Sequence, residues 1–491
     1  MARSFVNVDP EHFIPVPRHR LVDAFVEQAG ERGEGMSDLC RLLEGLLHFE
    51  FREMIEHLKR DYSLFDPKSE GSELEGLDES QIVEAEQRFM GNFVRTIQQA
   101  NFVPISQEDL DVANAEDYLF SLPVEVDWER HDTDLLGTYF DQNPYGKGGE
   151  PPDFARKALL FRRGTGVDST EGILFLQKVD LLVSRILLGL IRLPGRLLGR
   201  GRVGDASEEV SEAVVPVSES IFEGKKIERI TLHAEDVGPR SLLEKTRLQE
   251  PTFKQLILMF RLKSKDGEPI DRSIHVKTFL EIPMADLEVV FPAKRLSMKP
   301  IDLIKVITTA VTGLAVVIFK LAAAAVTLNP LLLVVVLGSL GAYAARAIVG
   351  YRTSRARYQH LVTDALYSKS LDNGLGVILY LVDCMEEQEW KEALLAWILL
   401  DRDGSCTPAE LDRRCEEWLN HHFEIETDFE IDDALCKLQE LELVAVEGDR
   451  WQACDLDTAL ARLDTKWDNY FCYSESDDNE PVNEVADSVA E

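Results

Sequence analysis

The longest apolar stretch of the chain lies at residues 301–350 and is interrupted once. Its first half reads IDLIKVITTAVTGLAVVIFKLAAAAVTL and its second LLLVVVLGSLGAYAARAIVG, with Asn329-Pro330 between them. A spanning helix needs about 20 apolar residues to cross roughly 30 Å of hydrocarbon. The pattern therefore predicts a two-helix transmembrane hairpin over 301–351. Pro330 can begin a helix and biases Asn329 away from one, which makes the break a tight turn. Lys294, Arg295, Lys299 and Lys305 lead into the stretch, and Arg346, Arg352, Arg355 and Arg357 close or follow it. By the positive-inside rule both ends then face the cytoplasm. Lys320 lies inside the first half; it either snorkels to the far interface or, since intramembrane charge points to function, marks a pore built by several copies. The competing reading is a hairpin buried inside a soluble domain, as in pore-forming toxins before insertion.

Elsewhere the patterns are shorter. Residues 1–135 read as a mainly helical region: Leu39, Leu42, Leu43, Leu46, Leu47, Phe49 and Phe51 recur at helical spacing. Residues 136–203 read as a loop plus a basic amphipathic helix. There Lys178, Arg185 and Arg192 recur every seven residues, and Arg196 and Arg200 extend the series. Such a helix lies in the bilayer interface with its basic face on anionic lipid head groups, or it packs in a core. Residues 204–220 form an acidic linker. Residues 221–300 alternate as strands do, in KIERITLHA, QLILMFRLKSKDGEPI and SIHVKTFLEI, and predict a small β or α+β domain with Asp266-Gly267 as a turn. Residues 352–400 are again helical in pattern.

Residues 401–471 carry the clearest local signals. Thr407-Pro408-Ala409-Glu410 is a capping box with Pro at the first helical position. A helix to about Asn420, a second from Phe429 to Leu441 and a hairpin around Gly448-Asp449 follow, the order of a winged helix. Residues 472–491 read as a disordered acidic tail. The expected fold class is α+β and mostly helical, with the transmembrane hairpin inserted between soluble regions and a winged-helix-like C-terminal domain.

Charge redirects the winged-helix expectation. The 491-residue chain carries 53 Lys/Arg against 88 Asp/Glu, a formal net charge of -35, and residues 401–470 carry 7 against 20. Such a surface repels nucleic acid, so the predicted partner of the C-terminal domain is a protein. The seven cysteines are scattered, with no C-x-x-C, which favours a reducing compartment. Residues 1–20 have neither the apolar core of a secretory signal nor the composition of a transit peptide.

Candidate chemistry is sparse. Glu44 with His48, and Glu53 with His57, form two E-x-x-x-H pairs, more readily surface ion pairs than metal ligands. Cys406, Cys415, His421, His422, Cys436 and Cys454 match no zinc spacing. No metal and no cofactor is expected. DQNPYGKGG at 141–149 lacks the G-K-[ST] of a P-loop. Asp286 and Glu288, with His275 and Lys277 nearby in sequence, are the best acid/base candidates.

Several stretches resemble the transmembrane protein 143-like family: DFARKALLFRRGTG (153–166), IHVKTFLEIPMADLEVVFPAKR (274–295), ALYSKSLDNGLGVILYLVDCMEEQEWKEALLAWILL (365–400), and FEIDDALCKLQELELV with DTALARLDTKWDNYF (429–471). The resemblance covers most of residues 130–471. It implies a paired membrane helix and carries over no activity; the lack of a convincing targeting leader at residues 1–20 favours a bacterial inner membrane, or an organelle membrane if the source is eukaryotic. The expected function is a membrane-anchored scaffold or adaptor, with a membrane-surface enzyme or an oligomeric channel as alternatives.

Overall fold

The computed structural model describes residues 4–8, 10–69, 77–107, 109–110, 124–143, 151–172, 225–229, 246–264, 271–296 and 366–470, with scattered positions at 74, 76, 145 and between 349 and 363. Its helices are α1 (Arg18–Ala29), α2 (Gly33–Ser63), α3 (Glu79–Gln99), α4 (Asp134–Gln142), α5 (Leu375–Asp403), α6 (Pro408–Phe423), α7 (Ile431–Glu440) and α8 (Leu456–Asn469). The chain divides into two compact units. The first comprises Met1–Phe13, Met54–Met385 and Glu426–Asp428, and the second Ile14–Glu53, Glu386–Ile425 and Phe429–Glu491.

The first unit is organised by a five-stranded antiparallel sheet whose strands follow chain order: β1 (Val103–Pro104), β2 (Ala158–Gly172), β3 (Thr246–Phe260), β4 (His275–Pro283) and β5 (Ser370–Asn373). Alternate β3 residues Leu256, Leu258 and Phe260 join Ala158 and Leu160 of β2 and Phe279 of β4 in one apolar cluster. Met284, Leu287, Val290 and Phe291, from the 3-10 segment Met284–Val290 and the residue after it, complete that cluster with Phe154 and Ile105. The interleaved Ile257 and Met259 are buried as well. Burial on both faces explains why LILMF reads as an unbroken apolar run rather than an alternation. Each such side chain contributes about 1.5–3 kcal/mol.

A single cation ties this unit together. Arg163 of β2 is buried. Its guanidinium donates to Gln255 Oε1 on β3 (2.6 Å), to the Ala100 carbonyl after α3 (2.9 Å) and to Cys384 Sγ on α5 (3.0 Å). Phe13 and Phe102 lie 4.9 and 4.7 Å from it at their ring centroids. Aromatic faces and neutral acceptors thus stabilise the charge where no carboxylate pairs with it among the described residues.

The second unit is helical with one hairpin. Leu39, Leu43 and Leu47 of α2, Trp390 and Trp397 of α5, Leu411 and Leu419 of α6, Leu435 and Leu438 of α7 and Leu463 of α8 are buried. Trp390 Nε1 donates to the Cys40 carbonyl (3.1 Å). The capping box at Thr407 and Glu410 is present, and helix, helix, hairpin is the observed order: α6, α7, then Val444–Glu447 paired with Arg450–Ala453 around Gly448 at φ +65°. Burial alone would lower the Lys437 pKa, but Glu389 and Glu50 override it and raise it. Its ammonium sits 2.8, 2.9 and 3.0 Å from Glu50, Glu389 and Glu440.

These features correct three expectations. The integral-membrane reading is overturned: among the described residues no helix is long and apolar enough to cross a membrane, and what they form is an α+β fold around a five-stranded sheet. The predicted hairpin itself, with Lys320, falls outside the described residues, as do Lys178, Arg185, Arg192, Arg196 and Arg200. Within 136–203, read as loop and helix, Ala158–Gly172 is the second strand of the sheet. Within 352–400, read as helical, Ser370–Asn373 is its exposed edge.

Replacing Arg163 by Met leaves the half-buried Gln255 and the buried Ala100 acceptors without this donor. The expected loss is about 3 kcal/mol, read as a lower urea midpoint with an unchanged slope. A midpoint equal to that of the unsubstituted protein would show that the guanidinium does not hold the sheet to α5.

Candidate functional site

Helix α3 begins at a capping box, in which Asp78 Oδ1 accepts from the Gln81 backbone (2.9 Å) and the Gln81 side chain accepts from the Asp78 backbone (3.0 Å). Phe89, Met90, Phe93, Val94 and Ile97 form its buried face. Two polar clefts of the first unit use what remains, one at each end of the helix.

The larger, about 490 Å³, is lined by Glu79 and Glu86 of α3, the start of α4 at Asp132–Asp134, the end of β3 at Arg261, and Arg272. Its arginines are spent. Arg261 reaches Glu86 Oε1 (2.5 Å) and Asp132 Oδ2 (2.7 Å), and both residues are largely buried. Arg272 pairs with Glu86 (3.1 Å) and with Glu79. Burial alone would lower the Arg272 pKa, but the Glu86 and Glu79 carboxylates raise it. Asp132 Oδ2 also accepts from the Leu135 backbone (3.1 Å), which anchors α4. The network joins α3, α4 and β3; Lys263, Asp134 and Asp271 also line the cleft.

The smaller cleft, about 350 Å³, lies between the end of α2 and the second half of α3. Met54, His57, Leu58 and Asp61 stand on one face of α2, and Arg88, Asn92, Arg95 and Gln99 form a stripe on α3. Arg60 also lines it. At its base, buried Asp61 accepts at Oδ1 from Arg88 Nε (3.1 Å) and Nη2 (3.0 Å) and at Oδ2 from Asn92 Nδ2 (3.4 Å). Thr96 Oγ1 donates to the Asn92 carbonyl (2.9 Å). Arg88 and Asn92 are thus held in place. Arg60 and Arg95 are exposed and have no carboxylate partner among the described residues. The cleft presents three guanidinium groups against one carboxylate, on a chain of net charge -35.

The expected acid/base candidates are Asp286 and Glu288. Both stand on the 3-10 segment Met284–Val290, where Asp286 departs from helical geometry at φ -106°, ψ 18°. Partial burial and the Glu125 carboxylate raise the Glu288 pKa, so its resolved ionic neighbour is another acid. His275 stacks on Phe260 (4.9 Å between centroids, 8° between planes), and the Lys277 ammonium lies 5.9 Å from the same ring. Burial, then Lys277, lowers the His275 pKa, and burial lowers that of Lys277. Lys294 donates to the Val289 carbonyl, and burial followed by repulsion from Lys277 pulls its pKa down to about 8.

The other sequence candidates separate. Glu44 pairs with Arg18, and His48 Nδ1 lies 3.0 Å from Glu386. His57 lines the smaller cleft. Cys406 and Cys415 are buried while Cys436 is exposed, and among the described residues no group of three or more His, Cys, Asp or Glu is placed to hold a metal ion. The cleft arginines escaped sequence reasoning, although QRFMGNFVRTIQQ shows the polar stripe opposite its apolar one.

A family described as "Protein of unknown function (DUF3754)" matches residues 253–376, from within β3 to the start of α5. The match spans about a quarter of the chain and carries no link to transmembrane protein 143. No curated protein and no solved structure matches.

Lys294 gives a signed pH dependence. Its pKa falls from 10.5 to about 8 on folding, so its contribution to stability is complete at high pH and is lost as pH falls from 10.5 to about 8. Chemical denaturation across that window should show stability rising with pH. Lys294→Met should flatten the rise; an unchanged slope would place Lys294 in water.

Proposed function

We propose that this protein binds a small anionic ligand, a phosphate or carboxylate group, in the cleft between α2 and α3. The observation that carries the reading is the pair Arg60 and Arg95: two guanidinium groups lining one cleft without a carboxylate partner among the described residues. In the neighbouring cleft both arginines are neutralised by Glu79, Glu86 and Asp132. A planar guanidinium fork matches the two oxygens of a carboxylate or phosphate, and such charge-assisted bonds are worth about 1.5–3 kcal/mol each.

Fixed neighbours support the same reading. Two of Arg88's five N–H donors go to Asp61, which orients the group and leaves donors over for a ligand. His57, Asn92 and Gln99 add polar atoms, while Met54 and Leu58 supply apolar wall. This mixture of apolar lining and a few convergent polar groups is that of a small-molecule site. The overall charge selects for size. A polyanion such as nucleic acid would run onto the acidic surface beyond the cleft, whereas a small anion meets mainly the arginines.

Isothermal titration with inorganic phosphate and with malonate tests the proposal. At least one should bind with about 1:1 stoichiometry. Arg60→Ser and Arg95→Ser should each weaken binding about tenfold or more, since 1.4 kcal/mol is a factor of ten. Arg95→Lys should fall between, because it keeps the charge and loses the fork. No heat with either anion, or full binding by the Arg60→Ser/Arg95→Ser double variant, would refute the site.

A further inference from the structure

The second unit, considered alone, has the opposite character. Across residues 14–53, 386–425 and 429–470 it carries 13 Lys/Arg against 30 Asp/Glu. Much of its positive charge is already engaged. Lys437 is enclosed by three glutamates. On α8, Lys466 donates to the Glu440 carbonyl (2.8 Å) and Arg462 to the Glu442 carbonyl, so the basic groups of that helix are drawn onto the end of α7.

The end of α8 shows a different face. Trp467 and Tyr470 are 45% and 43% exposed, although large aromatic side chains usually bury most of their surface. Both are held by neighbours. A Cβ at Gly45 would come within 3.3 Å of the Trp467 ring, so the glycine lets the indole lie close against α2. The Tyr470 ring meets Phe49 edge to face, with centroids 4.2 Å apart at 71°. Asp464, Trp467 and Asp468 stand at i, i+3 and i+4, on one side of the helix, and all three are exposed. Glu50 and Glu53 are close enough for their charge to act on the Tyr470 phenol; burial and then these carboxylates raise its pKa.

We infer that this aromatic and acidic shelf, formed by Phe49, Trp467 and Tyr470 with Asp464 and Glu53, docks a lysine- or arginine-rich segment of a partner protein. The occupant follows from charge and from π-chemistry. A cation over an indole or phenol face is attracted by the ring quadrupole, and carboxylates beside the ring add ordinary Coulomb attraction. Trp, Tyr and Phe are the residue types enriched where proteins meet. An acidic partner would be repelled across the unit. Nucleic acid is disfavoured for the same reason, although Trp467 alone offers a surface on which a base could stack.

The experiment uses the full chain and two synthetic peptides of equal length, one rich in Lys and Arg and one in which Glu replaces them. Binding by titration calorimetry should be seen for the basic peptide alone and should weaken at least fivefold between 50 and 300 mM salt. Trp467→Ala and Asp464→Lys should each weaken it about tenfold. Because Trp467 also packs on Gly45, Asp464→Lys, which alters an exposed side chain, keeps the test decisive if Trp467→Ala unfolds. Equal binding of both peptides, or undiminished binding by Asp464→Lys with Tyr470→Ser, would overturn the inference. So would preference for single-stranded DNA, or a concentration-dependent dimer abolished by these variants, which would make a second copy the occupant.

Discussion

The sheet-bearing unit depends on a guanidinium that has no carboxylate partner among the described residues. Arg163 is fixed by two neutral oxygens, a thiol and two aromatic rings. They come from four separate parts of the chain, so the arginine sets the registry of β2, β3, the turn after α3 and the start of α5 together. Burial raises the Cys384 thiol while the guanidinium pulls it down, and burial prevails. The interaction is therefore a charged donor against a neutral sulfur. A carboxylate at this place would neutralise the charge, but it would also bring a second ion into an apolar region, and the desolvation cost of such pairs often consumes their attraction.

The polar parts of the molecule differ chiefly in how much of their charge is engaged. In the cleft at the start of α3, carboxylates and guanidiniums are closed upon one another, and the result is a joint between elements. In the cleft at its other end the arginines outnumber the acids. In the second unit, lysines and arginines are largely drawn onto carbonyls and glutamates, which leaves acidic side chains and two aromatic rings facing out. An exposed arginine that no carboxylate engages keeps its donors for water or for a ligand.

What the sequence made legible was local. The capping box at Thr407, the two-residue turn at Gly448-Asp449 and the strands around LILMF and HVKTFLEI depend on residues within a few positions of one another. The second strand was missed because Arg162, Arg163, Gly164 and Gly166 interrupt any apolar alternation. Arg163 is buried only by virtue of residues 63 to 221 positions away. The edge strand SLDN has no apolar pattern, being exposed throughout. The cleft was missed for a related reason: each helix shows its polar stripe in the sequence, but their apposition is tertiary. The long apolar run at 301–350 drew the fold expectation toward a membrane protein, and that run lies outside the described residues.

The second unit is assembled from chain segments that lie far apart. Its first piece ends at Glu53 and its next begins at Glu386. During synthesis at roughly 5–20 residues per second, the apolar face of Leu39, Leu43 and Leu47 waits about 15–70 s for the α5 and α6 residues of its own core. A nascent chain therefore carries an unsatisfied amphipathic helix while the residues between Glu53 and Glu386 are made. Chains arrested before residue 386 should be cut by protease within 14–53, where completed chains resist; equal resistance would mean that the N-terminal helices shelter themselves. Discontinuity of this kind leaves apolar surface uncovered until the later segment is made, whatever the stability of the finished unit.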